Sequence, residues 1–198
     1  MGLSAQTPAR RAATLADFLA IPPHERFHEI IDGELVRKLM PSFGHAHAQR
    51  KLGAMLDPYT DDGLRGQPGG WWVVTEAEIL LPPSLPLRPD LSAWRWARMP
   101  EPPVEFPVKL LPDWICEVVS PSDPRRDTIV KARDYGRAGV PHYWLVDLAQ
   151  QTLTALRLSG EHYVIQAEAR AGERVRLEPF DLVEIDVGKL FGAASQRS

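Results

Sequence analysis

The chain has 198 residues, 44% of them hydrophobic and 25% charged, with a formal net charge of −3. That composition is expected of an ordinary globular protein with one domain over 14–192 and flexible ends at 1–13 and 193–198. It buries about 70% of its unfolded surface, which removes any need for a structural metal or disulfide, and its mild acidity argues against non-specific coating of nucleic acid.

The single cysteine, Cys116, cannot form an internal disulfide, and a reduced, cytoplasmic setting is the natural expectation. Residues 1–13 lack the apolar run of a secretory signal. Nowhere is there a run of about eighteen apolar residues, so no membrane span is expected.

In chain order, Thr14-Leu15-Ala16-Asp17 has capping-box spacing and opens a short helix that stops at Pro22-Pro23. Residues 27–31 and 34–39 flank Asp32-Gly33, a hairpin signal. Residues 45–59 read as a helix, with Leu52, Met55, Leu56 and Tyr59 at helical spacing. Residues 61–70 are turn-rich. A long strand is expected over 71–81, broken by Pro82-Pro83, and a second over 91–96. Residues 97–112 are proline-rich and read as a surface loop.

The third strand, 115–119, is apolar on both alternate faces, as an internal strand should be. Asp123-Pro124 is an N-cap with proline at the first helical position, and that helix runs to Ala138 with Gly139 as its stop. A fourth apolar strand covers 143–148. Short strands follow at 151–158, 162–168, 174–178 and 182–187. The helix between the third and fourth strands permits a parallel crossover. The expected class is α/β (α+β), a mixed central sheet flanked by helices, with added N-terminal and C-terminal β-hairpins.

Glu117 stands inside the third strand, where a carboxylate costs several kcal/mol unless a cation, donor or metal compensates it. A structural pair with an arginine would explain it; so would metal ligation. Asp90, held extended by Pro89 at the start of the second strand, is either a turn cap or a second ligand. With the Val118 carbonyl these carboxylates form the hard-oxygen set that Mg²⁺ or Mn²⁺ takes. Lys131, on the following helix, either pairs with Asp127 one turn back or reaches the same place to orient water or bind a phosphate. Asp90, Glu117 and Lys131 together point to metal-dependent phosphodiester hydrolysis.

Supporting candidates are Tyr135, one turn beyond Lys131, Glu29 on the first hairpin, and His45. In His45-Ala46-His47 two helical residues point different ways, so the pair does not clip one ion. Arg126, Arg133 and Arg137 form a stripe that either tracks phosphates or is a solvated helix face. No phosphate-cradling glycine loop, CxxC pair or nucleophile with neighbouring His and acid occurs.

These residues resemble a known family. Pro89-Asp90, Cys116-Glu117-Val118-Val119-Ser120-Pro121-Ser122, Asp127, Lys131, Tyr135, Gly139-Val140-Pro141 and Tyr143-Trp144-Leu145-Val146-Asp147 resemble a large bacterial branch of the PD-(D/E)XK, restriction-endonuclease-like superfamily. Glu29-Ile30-Ile31-Asp32-Gly33-Glu34-Leu35, Pro41-Ser42 and His45 match upstream, and the likeness spans about 14–190. It implies a restriction-endonuclease-like core (helix, three strands, helix, strand) and a Mg²⁺-dependent DNA endonuclease. Asp90 and Glu117 match the two motif acids. The lysine usual two residues after the second acid is Val119 here, and Lys131 would supply its charge from the helix. A symmetric homodimer is expected for duplex cutting, with Trp71-Trp72 and Trp94/Trp96 as apolar surface for core or interface. The rivals are a catalytically inactive fold member that binds nucleic acid or a protein partner, and a small-phosphate hydrolase, against which the missing cradle counts.

Overall fold

The computed structural model describes residues 11–60 and 70–192. The turn-rich reading of 61–70 and the flexible ends at 1–13 and 193–198 fall wholly or largely outside these residues.

Helix α1, Leu15–Leu19, opens with the expected capping box: Asp17 N–H donates to Thr14 Oγ1 at 3.3 Å and Thr14 N–H to Asp17 Oδ2 at 2.7 Å. Strands β1, His28–Ile31, and β2, Glu34–Arg37, form a hairpin. Its turn residues Asp32 and Gly33 both have positive φ, 48° and 77°, the requirement of a type I′ turn. Helix α2, Phe43–Thr60, begins two residues before the sequence predicts, because the Ser42 hydroxyl accepts the His45 N–H at 3.3 Å.

The central sheet has six strands in the order β10-β9-β8-β7-β6-β3. Strands β6, Leu91–Arg95, and β7, Trp114–Val119, are antiparallel, and β7 runs parallel to β8, His142–Asp147. The crossover between β7 and β8 is helical, as expected. Strands β3 (Trp71–Thr75), β9 (Thr152–Ser159) and β10 (His162–Arg170) complete the sheet. All six residues of β7 are buried. Leu52, Leu56, Trp114, Cys116 and Trp144 fill the core on the α2 side of the sheet. Ile115, Val130, Tyr135 and Tyr143 fill the other.

Four expectations are corrected. The strand expected over 71–81 divides, since Glu76 adopts φ 55° and turns the chain after β3. Beyond it β4, Ile79–Leu81, pairs with β5, Leu85–Leu87, as a separate hairpin. Residues 97–112 are not simply a surface loop: Val108 bridges to Ile79 and is buried with Met99. The helix after Pro124 is wound as a π-helix over Arg126–Lys131 before α3, Ala132–Ala138, closes on Gly139 with φ 92°.

The last two expected strands shrink to β11, Arg174–Val175, and β12, Ile185–Asp186. The segment between them plugs the core, where Phe180 meets Tyr59, Trp71, Trp114 and Trp144 at ring distances of 4.9 to 5.8 Å. Trp71 and Trp94 are themselves buried within the chain, so these two do not offer surface to a second copy. No helix among the described residues is long and apolar enough to cross a membrane.

Candidate active site

The site forms where two neighbouring strands part. Leu91 paired with Cys116 is the last register pair between β6 and β7. Just beyond it, Asp90 turns its carboxylate into the gap, and Oδ2 accepts the Val118 N–H at 2.7 Å in place of a ladder bond. Because a strand residue presents its N–H and C=O to the same side, the Val118 carbonyl faces this gap too. Glu117, on the opposite pleat from Cys116, points toward the crossover helix. Its Oε1 accepts from Tyr135 Oη at 2.7 Å and from Lys131 Nζ at 3.0 Å, while Oε2 has, among the described residues, a long 3.4 Å contact with the Asp90 N–H as its one hydrogen bond.

The π-wound turn turns Asp127 and Lys131 inward, and Tyr135 follows on α3; all three are buried. Asp127 accepts the Ser120 N–H at 3.0 Å, and Tyr143 Oη donates to its backbone carbonyl at 2.8 Å. The i,i+4 approach of Lys131 to Asp127 is loose at 3.8 Å. Lys131 also meets Glu29 from β1 at 2.9 Å, and Glu29 accepts the Arg88 N–H at 2.9 Å. On the far side of Asp90, His45 Nε2 stands 3.1 Å from Oδ2. His47 turns away to the Lys189 carbonyl at 3.2 Å, as the helical spacing requires.

The residues singled out from the sequence, Asp90, Glu117, Val118, Lys131, Glu29, His45 and Tyr135, thus lie together. Sequence reasoning missed Lys38, Glu76 and Gln49. Lys38 Nζ stands 2.7 Å from Asp90 Oδ1, 2.9 Å from Glu76 and 2.7 Å from the Arg88 carbonyl. The Gln49 amide reaches the Asp90 carbonyl at 2.7 Å and Glu76 at 3.2 Å. One signal was available for Lys38: strand alternation places it on the same face as the half-buried Val36. The arginine stripe divides, Arg126 pairing with Asp123 at 3.1 Å and Arg133 with Asp32 at 2.9 Å.

Five carboxylates, Glu29, Glu76, Asp90, Glu117 and Asp127, therefore face two ammonium groups, Lys38 and Lys131, in a largely buried cluster. Burial and the neighbouring Asp90 push Glu117 up to about 8, with Lys131 offsetting part of the effect. Burial also acts to raise Asp90, but Lys38 and His45 outweigh it and hold that carboxyl below its ordinary range. Lys131 is desolvated as well, yet Glu117 and Glu29 raise it well above an ordinary lysine. The two acids are thus electrostatically unlike: Asp90 is firmly ionised, while Glu117 titrates near neutrality.

A cavity of about 280 Å³ opens above these groups and is roofed by Leu39, Met40, Pro41 and Ser42. Its donors fit a hard divalent ion. Asp90, the weakly engaged Glu117 Oε2 and the Val118 carbonyl supply oxygens, and the cluster has an excess of negative charge. Among the described residues no group of three or more His, Cys, Asp or Glu forms a ready-made cage.

A putative nuclease of the DUF820 group from Anabaena variabilis has a similar crystal structure. The TM-score is 0.69 at 21% identity, over 91% of this chain and 98% of that one. This likeness shows the fold, a mixed six-stranded central sheet with flanking helices. None of the curated proteins matches the chain. A family model described as "Putative restriction endonuclease" matches residues 15–188. The chain belongs to that family, Uma2.

Proposed function

We propose that the protein is a Mg²⁺-dependent endonuclease that hydrolyses phosphodiester bonds in DNA. The observation that carries this reading is the pair of buried acids, Asp90 and Glu117, set where β6 and β7 part and opening onto one cavity. Asp90, Glu117 and the Val118 carbonyl would hold the ion, with Mn²⁺ as a substitute. Bound there, it would neutralise charge on the phosphate and make a water more acidic.

The rest belongs to the chain itself. The Val118 N–H fixes the Asp90 carboxylate, and Tyr135 and Lys131 fix Glu117 through the same oxygen, leaving Oε2 for the ligand. Lys131, held between Glu29 and Glu117, lines the cavity floor and orients the attacking water. Lys38 lines the same cavity and supplies positive charge for the phosphate oxygens. Water adds to phosphorus and gives up a proton to solvent, and the bond to the leaving ester oxygen breaks as that oxygen takes up a proton from solvent.

A second reading has its own observation. Both Asp90 oxygens already have partners within the chain, Lys38 on one and His45 with the Val118 N–H on the other. An inactive fold member that binds nucleic acid or a protein partner would look the same. Nicking of supercoiled plasmid with Mg²⁺ or Mn²⁺ separates the two. Wild type is expected to nick, while Asp90→Asn and Glu117→Gln, which keep shape and remove charge, abolish it. Nicking that persists unchanged in purified Glu117→Gln overturns the assignment, and no cleavage of any nucleic acid by wild type favours the inactive reading.

A further inference from the structure

We infer that the compartments beside the acid cavity receive unpaired nucleobases, so that the preferred substrate is single-stranded or locally unpaired DNA. This rests on the nuclease reading and deepens it. Three cavities are neighbours that share lining residues. The Leu39–Pro41 segment, with Lys38 and Glu76, walls the acid cavity on one side and a trough of about 670 Å³ on the other. Glu76 and Arg88 in turn wall both that trough and an apolar pocket of about 440 Å³ containing Trp72, Trp94 and Phe106. Both volumes lie in the range of about 300–1,000 Å³ common to small-molecule sites.

The trough offers bases an aromatic and apolar lining, with Arg37 and Lys38 beside it for the phosphates that join them. In the trough Phe27 is half exposed, with the Arg88 guanidinium 5.2 Å from its ring centroid. An aromatic and a guanidinium plane in contact are what a base stacks on. The shared wall is apolar and exposed: Leu39 is 73% and Met40 92% exposed. Side chains of this kind wedge between or cover bases taken out of a stack.

A duplex is poorly served by the same face. Asp90 and Glu117 are each only 1% exposed, so a scissile phosphate must descend beneath the Leu39–Ser42 roof, which an unpaired strand does easily. The shared Lys38–Pro41 wall sets the trough next to the acid cavity, so a strand whose phosphate enters the one can place a neighbouring base in the other.

The test is fluorescence anisotropy in EDTA, using a labelled DNA single strand and the duplex of the same sequence. Wild type is expected to bind the single strand about tenfold more tightly or better. The double variant Leu39→Ser/Met40→Ser changes only exposed side chains and keeps the fold. It should weaken single-strand binding about tenfold, the scale of one lost stacking contact, and leave duplex binding unchanged. Equal or tighter duplex binding, absence of any binding, or a double variant indistinguishable from wild type overturns the inference. A parallel digestion with Mg²⁺ separates the two failures. Single-strand preference without cleavage removes the nuclease reading alone, whereas cleavage without that preference removes this inference alone.

Discussion

Lys38 Nζ lies 2.7 Å from Asp90 Oδ1, so an ammonium group already sits beside one of the two carboxylates proposed to hold a divalent cation. Like charges so close repel, by several kcal/mol at a dielectric of about 20. Lys38→Met should therefore raise Mn²⁺ affinity about tenfold or more while lowering the cleavage rate, since the charge facing the phosphate is lost. Calorimetric titration with Mn²⁺ reads the first effect independently of turnover. Unchanged or weaker binding would show that the ion does not use Asp90.

Lys131 has a different place, sealed at 2% exposure between Glu29 and Glu117. Removing one partner of a buried charged cluster leaves the others uncompensated, at about 3–5 kcal/mol. Lys131→Met is expected to unfold at a clearly lower temperature than wild type. Glu117→Gln should stabilise the Lys131→Met protein by more than it stabilises wild type, because the two residues touch and their effects do not add. Equal gains in the two backgrounds, read by thermal unfolding, would mean that the pair does not interact.

Asp90 and Glu117 were legible in the sequence because each breaks a pattern. A carboxylate between Cys116 and Val118 in a doubly covered strand demands a partner, and Pro89 fixes the entry to Asp90. The partners were not equally legible. Tyr135 and Lys131 follow Glu117 through a local strand–helix unit, but Lys38 reaches Asp90 from a separate hairpin, and its alternation with Val36 marks a face without naming the partner. The division of the strand at Glu76 was hidden for a related reason. No glycine or asparagine marks its positive φ, which tertiary contacts hold in place: Glu76 N–H donates to the Asp90 carbonyl at 3.1 Å and Lys38 binds its carboxylate.

Glu117 makes stability depend on pH in a specific direction. Its folded pKa, about 8, lies above the ordinary 4.5, so between these values the folded state binds more protons than the unfolded one. Its contribution to stability is complete below about pH 4.5 and is lost as pH rises through 8. At about 1.4 kcal/mol per pKa unit the loss reaches a few kcal/mol. Asp90, held low, acts oppositely and weakens the fold only in acid. In metal-free buffer Glu117→Gln should thus be more stable than wild type, by a margin that grows between pH 5 and 9. Denaturant unfolding across that range checks it, and a constant margin would place Glu117 at an ordinary pKa.

The same titration should govern metal binding. An ion takes the carboxylate form, so binding at Glu117 must expel its proton wherever that proton is present. Below pH 8 wild type should release close to one proton per Mn²⁺ bound, and affinity should climb about tenfold per pH unit before levelling above 8. Asp90, already ionised, contributes no such slope. Glu117→Gln should bind more weakly and with little pH dependence. Calorimetry in two buffers of different ionisation enthalpy counts the protons directly. Tight Mn²⁺ binding with no proton released at pH 6 would show that the ion is held without Glu117, and the pairing of the two acids as its ligands would have to be given up.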